Sequence, residues 1–187
     1  SRAGVIPLSW TLDHCGPMTR TVEDAAFMLQ TVAGYDIKDP TTSHASVPDY
    51  SALLRKGIKG LKVGVPKHFF FSSHYGISNE VAGKVNVALN TLEELGGRVV
   101  EVTVPTLKYS GEVYRIISRS EAFAYHRSNL IKNPQKYGDM VRESLYHGAL
   151  LTASDYIRAM QLRRLIEREF YEVLQNVDVI ASPTKPE

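Results

Sequence analysis

The chain has 187 residues, of which 43% are hydrophobic and 22% charged, and its formal net charge is +2. This composition is ordinary for a globular domain, and the charge is too small to indicate binding to nucleic acid or to an anionic membrane. No apolar run approaches the roughly 18 residues of a membrane span. Cys15 is the only cysteine, which excludes an internal disulfide and favours a reducing, cytoplasmic location.

The first predicted helix runs from Thr21 to Ala33. Thr21 and Asp24 have the spacing of a capping box, and apolar residues then recur at helical spacing. Gly34 is suited to the position that follows a helix. Residues 36–50 are rich in proline, serine and threonine, which predicts a surface loop.

Residues 61–104 predict a strand, a helix and a second strand. The first strand, 61–65, is stopped by Pro66, and Ser78 is placed to cap the helix, which Gly96-Gly97 ends. The second strand is the valine-rich segment 99–104. This order indicates a right-handed crossover between parallel strands.

The remaining chain is predicted to be mostly helical. Segments 111–131 and 140–151 are both amphipathic, and Thr152 with Asp155 has the form of a second capping box, which opens a further helix. Residues 177–181 then predict a buried strand. The expected fold class is α/β, with a mixed, largely parallel sheet flanked by helices.

A series of short motifs, in order along the chain, resembles the amidase-signature family. The series starts with SWTLDHCGPMTRTVEDAA at residues 9–26. Its further members are Gly34-Tyr35-Asp36, Asp39-Pro40, LKVGVP at 61–66, GGRVVEV at 96–102, Glu121-Ala122, residues 156–163 and residues 178–184. The resemblance covers essentially the whole chain and implies the amidase-signature fold, with residues 1–187 as a partial amidase domain.

The resemblance also implies a chemistry. Enzymes of that family cleave carboxylic amides with a serine nucleophile, a second serine in a cis peptide and a lysine. In the family these groups lie before the segment matched by Ser1, and the domain continues beyond the part matched by Glu187. We therefore expect a central to C-terminal fragment with no catalytic residue of its own, inactive when alone. No cofactor is expected, and the parent enzyme would act on a small-molecule amide, with a homodimer left open.

Asp13 and Arg20 are candidates for supporting the loop beside the nucleophile. They bracket Gly16-Pro17, so they could pair across that turn. The alternative is a purely structural ion pair or a capping group.

Tyr114 and Arg142 are candidates for substrate binding. In the amidase-like component of tRNA-dependent amidotransferases, a tyrosine and an arginine of the matching region help to hold glutamine. That component tends to have further arginines where Glu143 and Ser144 stand, and this departure favours a general amidase.

Other patterns are weaker. The six histidines do not have the spacing of a zinc site, so no metal is expected. Ser182 and Lys185 fit Ser-x-x-Lys, but the surrounding prolines favour a chance match. Two alternatives to a general amidase stay open: the glutaminase component of a tRNA-dependent amidotransferase, and a noncatalytic scaffold of the same fold.

Overall fold

The structure, a computed structural model, describes residues 1–71 and 77–185. Within these ranges the predicted helices and strands occur in the predicted order, and one short helix, Lys67–Phe70, was not predicted. The helices are α1 Val22–Val32, α2 Lys67–Phe70, α3 Asn79–Glu94, α4 Ser110–Lys132, α5 Asp139–Ala149 and α6 Ala153–Leu174. The strands are β1 Lys62–Val65, β2 Arg98–Glu101 and β3 Val179–Ile180. Single 3-10 turns precede α4 and α5 at Pro105–Tyr109 and Pro134–Lys136.

The chain divides into two compact units. The first unit comprises Ser1–Gly57 and Ile117–Leu151, and the second comprises Ile58–Ile116 and Thr152–Glu187. The boundary falls within α4, whose first residues count with the second unit and whose remainder counts with the first.

The second unit contains a parallel sheet with the strand order β2-β1-β3. Val63 of β1 is in register with Val99 of β2 and with Val179 of β3. Val63 and Val65 are buried and pack with Leu89 of α3. The sequence prediction of a parallel strand–helix–strand unit is confirmed, and so is the α/β class.

The prediction of a buried strand over 177–181 is wrong in extent and in burial. Only Val179–Ile180 forms a strand, and Val179 is 42% exposed. Among residues 1–71 and 77–185, β3 is an edge strand that pairs with β1 alone, so its other edge has no described strand beside it. The buried residue is Val177, whose side chain lies against Gly64, where an added Cβ would be 3.1 Å from Val177 Cγ2.

The first unit is built around the contact between α4 and α5. Ala122 and Leu130 of α4 and Leu145 of α5 are buried together. Gly148 allows the two helices to approach closely, because a Cβ at this position would overlap the backbone carbonyl of Arg119. The predicted helices at 111–131 and 140–151 are confirmed with small shifts of their ends.

The predicted caps are present at the start of three helices. Thr21 Oγ1 accepts a hydrogen bond from the Asp24 amide at 3.0 Å, and Ser78 Oγ accepts one from Val81 at 3.2 Å. Thr152 and Asp155 form a full capping box. Each hydroxyl satisfies an amide that has no partner within its helix.

No helix in the described ranges combines the length and apolar character needed to cross a membrane.

Candidate functional site

Residues 8–13 form a polar loop that is closed on itself. The Asp13 carboxylate accepts hydrogen bonds from the backbone amides of Leu8 at 2.8 Å and Ser9 at 3.0 Å. The amides of Leu12 and Asp13 donate in turn to the carbonyl of Ser9. Because both ends of the segment are bonded to each other, the loop is expected to behave as one body. We call it the 8–13 loop.

Glu121, in the middle of α4, holds the 8–13 loop. Its carboxylate accepts a hydrogen bond from Ser9 Oγ at 2.6 Å. It accepts two more from Thr11, one from the backbone amide at 2.9 Å and one from Oγ1 at 2.8 Å. Ser9 is only 1% exposed, so its hydroxyl is satisfied without solvent. We call these three bonds the Glu121 clamp.

Arg2 joins the start of the chain to the Asp39-Pro40 loop. Its backbone amide donates to Asp39 Oδ2 at 2.7 Å, and its Nε lies 3.6 Å from the same oxygen. Its Nη2 donates to Thr41 Oγ1 at 2.7 Å, and its Nη1 donates to the carbonyl of Trp10. The guanidinium carbon also lies 5.7 Å from the centre of the Trp10 ring, within the range of a cation–π contact.

These contacts favour the ionised form of Asp39. The pKa of Asp39 is held far below its usual range, first by the hydrogen bond from the Thr41 hydroxyl and then by the amides of Arg2 and Thr41. The charge of Arg2 contributes in the same direction. Asp39 is therefore a carboxylate at neutral pH, and it holds structure together rather than serving as a general base.

Two adjoining clefts in the first unit are lined by these groups. One has a volume of about 420 Å³ and the other about 410 Å³, and they share Arg2, Trp10, Asp13 and Asp39. The remaining lining residues include Thr11, His14, Cys15, Thr41, Thr42, Pro40 and Tyr125. Chemically the clefts offer hydroxyl groups, an indole and an imidazole around the Arg2–Asp39 ion pair and the Asp13 carboxylate. We refer to the two together as the polar cleft.

Asp13 is placed at the polar cleft, but it does not pair with Arg20. Arg20 is exposed, and the ion pairs within the described residues do not include it. The Asp13 carboxylate binds backbone amides of its own loop instead, because these donors lie four and five residues away. The structure thus shows Asp13 as an acceptor for backbone amides within its own loop. The support of a nucleophile loop by Asp13 and Arg20 stays a prediction.

Arg142 and Tyr114 lie in different units, and each is described in its own. In the first unit, Arg142 Nη2 pairs with Asp139 at 2.6 Å, and its Nη1 donates to the Pro134 carbonyl at 3.3 Å. In the second unit, Tyr114 lies on α4 and is 55% exposed. Their part in substrate binding is not decided by these positions and stays a prediction.

Sequence reasoning missed the roles of Arg2 and Glu121. The sequence shows Glu121 only as part of a motif, because its partners Ser9 and Thr11 lie 112 and 110 residues away. No pattern within a local window reveals such a contact.

Ser182 and Lys185 lie in an irregular segment after β3, as a chance match would. Among the described residues no group of three metal-ligating side chains is present.

The fold and the motif order together define a class, the α/β enzymes of the amidase-signature type. The family model described as Amidase matches residues 1–187, and the chain belongs to this family. The predicted resemblance is thereby confirmed.

Relatives and solved structures agree with this assignment. An amidase of Pseudomonas putida is 46% identical over 184 residues, which are 98% of this chain and 39% of that protein. The crystal structure of the A component of glutamyl-tRNA(Gln) amidotransferase from Thermotoga maritima is 34% identical with a TM-score of 0.78, covering 100% of this chain and 40% of that one. A structure of a vestigial protein complex, linked to the origins of an s-triazine catabolic enzyme, has a TM-score of 0.89 at 26% identity, covering 100% and 39%. The chain thus spans about two fifths of the length of these proteins.

Proposed function

We propose that this chain is the central to C-terminal part of a serine amidase that hydrolyses carboxylic amides through an acyl-enzyme. The observation that carries the proposal is the match of the complete chain to the Amidase family, supported by 46% identity to an amidase over 39% of its length. In such a reaction the nucleophilic serine attacks the amide carbonyl and loses its proton, through the cis serine, to a neutral lysine. Ammonia or an amine leaves, and water then releases the acid.

The described residues support a scaffolding contribution to that reaction. The 8–13 loop, with Trp10, Thr11 and Asp13, forms part of the wall of the polar cleft. The loop and the helix that form this wall are hydrogen-bonded to each other. Such a wall is suited to orienting a neighbouring catalytic loop, because the rate of the chemical step depends on the orientation of the reacting groups within fractions of an ångström. Asp13 and Arg20 would support that loop, and Tyr114 and Arg142 would contact the substrate.

The catalytic serines and lysine are proposed to precede Ser1 in the parent protein. The test is to determine the coding DNA on both sides of this segment, to express the complete reading frame, and to measure ammonia released from simple carboxylic amides. We expect an upstream lysine and a Gly/Ser-rich loop, turnover by the parent protein, and no turnover by residues 1–187 alone. Turnover by the 187-residue chain would contradict the proposal.

The glutaminase component of a tRNA-dependent amidotransferase is the second candidate. It is favoured by the 34% identity to the Thermotoga maritima amidotransferase component over the full chain. A glutaminase of this kind should release ammonia from glutamine chiefly in complex with a partner protein, whereas a general amidase should act alone. We expect the parent protein to act alone, in the cytoplasm and without a cofactor. A parent protein with no turnover in either assay would favour the noncatalytic scaffold.

A further inference from the structure

We infer that Glu121 is a positioning residue for amide cleavage, which holds the 8–13 loop and through it the wall of the polar cleft. The inference rests on the proposed function as far as the reaction is concerned. Its structural part, the attachment of the loop to α4 by one carboxylate, stands on the contacts alone.

The clamp concentrates three hydrogen bonds on one side chain. Both oxygens of Glu121 are used: Oε2 accepts from Ser9 Oγ and the Thr11 amide, and Oε1 accepts from Thr11 Oγ1. The distances of 2.6–2.9 Å are those of strong, charge-assisted bonds. A residue in the middle of the 23-residue helix α4 is a rigid anchor, and groups placed on helices are held more accurately than groups placed on loops.

The clamp acts on the cleft through the residue between its two partners. Trp10 lies between Ser9 and Thr11, and its side chain lines both parts of the polar cleft. The Asp13 bonds close the loop, so a loop freed from Glu121 would shift as a unit. Trp10, Thr11 and Asp13 would then move together, and the cleft wall would change shape.

The structural part can be tested on the 187-residue chain, because Trp10 is its single tryptophan. The variants are Glu121→Ala, which removes both acceptor oxygens and all three hydrogen bonds, and Glu121→Gln, which keeps the shape and one acceptor oxygen. Glu23→Gln, at an exposed position on α1 of the same unit, is the matched control. We expect faster exchange of the Thr11 amide in the alanine variant and an intermediate rate in the glutamine variant. Trp10 is already 59% exposed, so its emission should change less than the Thr11 exchange rate. Wild-type values in the alanine variant would overturn the clamp.

The functional part is tested in the parent enzyme. A fluorophosphonate titrates the active sites, so that kcat can be expressed per titrated site. A merely structural role would reduce the number of sites and leave kcat per site unchanged. We expect Glu121→Ala to lower kcat per site about 10- to 100-fold, with a smaller change in KM. Glu121→Gln should recover part of this loss, and it keeps the test valid if the alanine variant does not fold.

The outcomes separate this inference from the proposed function. A wild-type parent enzyme without amide turnover overturns the proposed function and the positioning role with it. An active wild type whose Glu121→Ala and Glu121→Gln variants keep kcat per site overturns the positioning role alone. Loss of kcat per site in Glu121→Ala, with partial recovery in Glu121→Gln and no change in Glu23→Gln, supports both.

Discussion

At the scale of single residues, one hydrogen-bonding pattern recurs in this chain. A carboxylate accepts hydrogen bonds from both the backbone amide and the side-chain hydroxyl of the same serine or threonine. The same pattern serves loops, helix starts and the Glu121 clamp, with bonds of 2.6–3.0 Å. The pairs are Asp39–Thr41, Asp49–Ser51, Asp155–Thr152, Glu121–Thr11 and Glu169–Thr106. Exposed ion pairs such as Arg168–Glu172, at 3.9 Å, contribute at most about 1 kcal/mol each.

Acid should therefore weaken the fold through these carboxylates. The pKa values of Asp39, Asp49 and Asp155 are all lowered, in each case chiefly by the hydroxyl bond. A folded-state pKa below the unfolded value of 3.8 means that stability is fully present above that pH and is lost as the pH falls below it. We expect the urea midpoint to fall between pH 6 and pH 3, and Asp39→Asn to show a smaller fall. If the urea midpoint falls equally in Asp39→Asn and in wild type, Asp39 does not stabilise the fold in this way. Glu143→Gln is the control.

Gly148 gives a prediction about packing. A Cβ in a Gly148→Ala variant would lie 2.6 Å from Phe123 Cβ as well as overlapping the Arg119 carbonyl. Overpacking of this kind costs about 1–3 kcal/mol. The free energy of unfolding, measured by urea titration, should therefore fall by about 1–3 kcal/mol or more. Gly83→Ala is the matched control, because Gly83 is also helical but the added Cβ would have no atom within 4 Å apart from the nearby backbone of its own helix. That variant should gain up to about 1 kcal/mol, and equal effects of the two substitutions would refute the close-approach argument.

At the scale of elements, helices were predictable and strand ends were not. Thr21, Ser78 and Thr152 mark helix starts through a local chemistry that the sequence shows directly. A strand, by contrast, ends where its partner ends, and the partner is far away in the chain. This is why the segments predicted at 99–104 and 177–181 are shorter in the structure. The clamp and the Arg2–Asp39 contacts are likewise nonlocal.

The capping box of α6 provides the test at this scale. Thr152 Oγ1 accepts from the Asp155 amide at 3.2 Å, and the Asp155 carboxylate accepts from the Thr152 amide at 2.9 Å. Thr152→Ala removes the first bond, and with it the bond from the Thr152 hydroxyl to the Asp155 carboxylate at 2.7 Å. It should cost about 1 kcal/mol of unfolding free energy. Thr152→Ser keeps the hydroxyl and should retain most of it. Thermal and urea unfolding followed by circular dichroism would decide, and equal losses in both variants would argue against the cap.

At the scale of the whole molecule, the chain exposes many large apolar side chains. Val22, Phe27 and Val32 of α1 are more than half exposed. Further exposed apolar side chains in the first 20 residues are Val5, Ile6, Leu8, Trp10 and Met18. Exposed apolar patches of this kind are typical of surfaces that another part of a protein covers, and this chain spans 39% of the length of its amidase relative.

The 187-residue chain should accordingly bind a hydrophobic dye. We expect anilinonaphthalene sulfonate to fluoresce with the folded chain, and a Val22→Ser/Phe27→Ser double variant to show less fluorescence. Glu23→Gln, on the same helix, should leave the signal unchanged. Cooperative melting without any dye binding would instead indicate a self-sufficient module.

The family could be recognised from the sequence because its short motifs occur in the same order along the whole chain. The match of the family model over residues 1–187 confirms this assignment. The substrate candidates Tyr114 and Arg142 rest on a looser match to the family and stay predictions. Arg142 is bonded to Asp139 and to a backbone carbonyl, and the groups that would do the chemistry are proposed to precede Ser1.

The most direct test of the amidase proposal is to label the complete parent protein with a serine-directed fluorophosphonate and to locate the modified serine by peptide mass spectrometry. We expect one labelled serine, in a Gly/Ser-rich loop before Ser1, and none within residues 1–187. A stoichiometrically labelled serine inside residues 1–187 would contradict it.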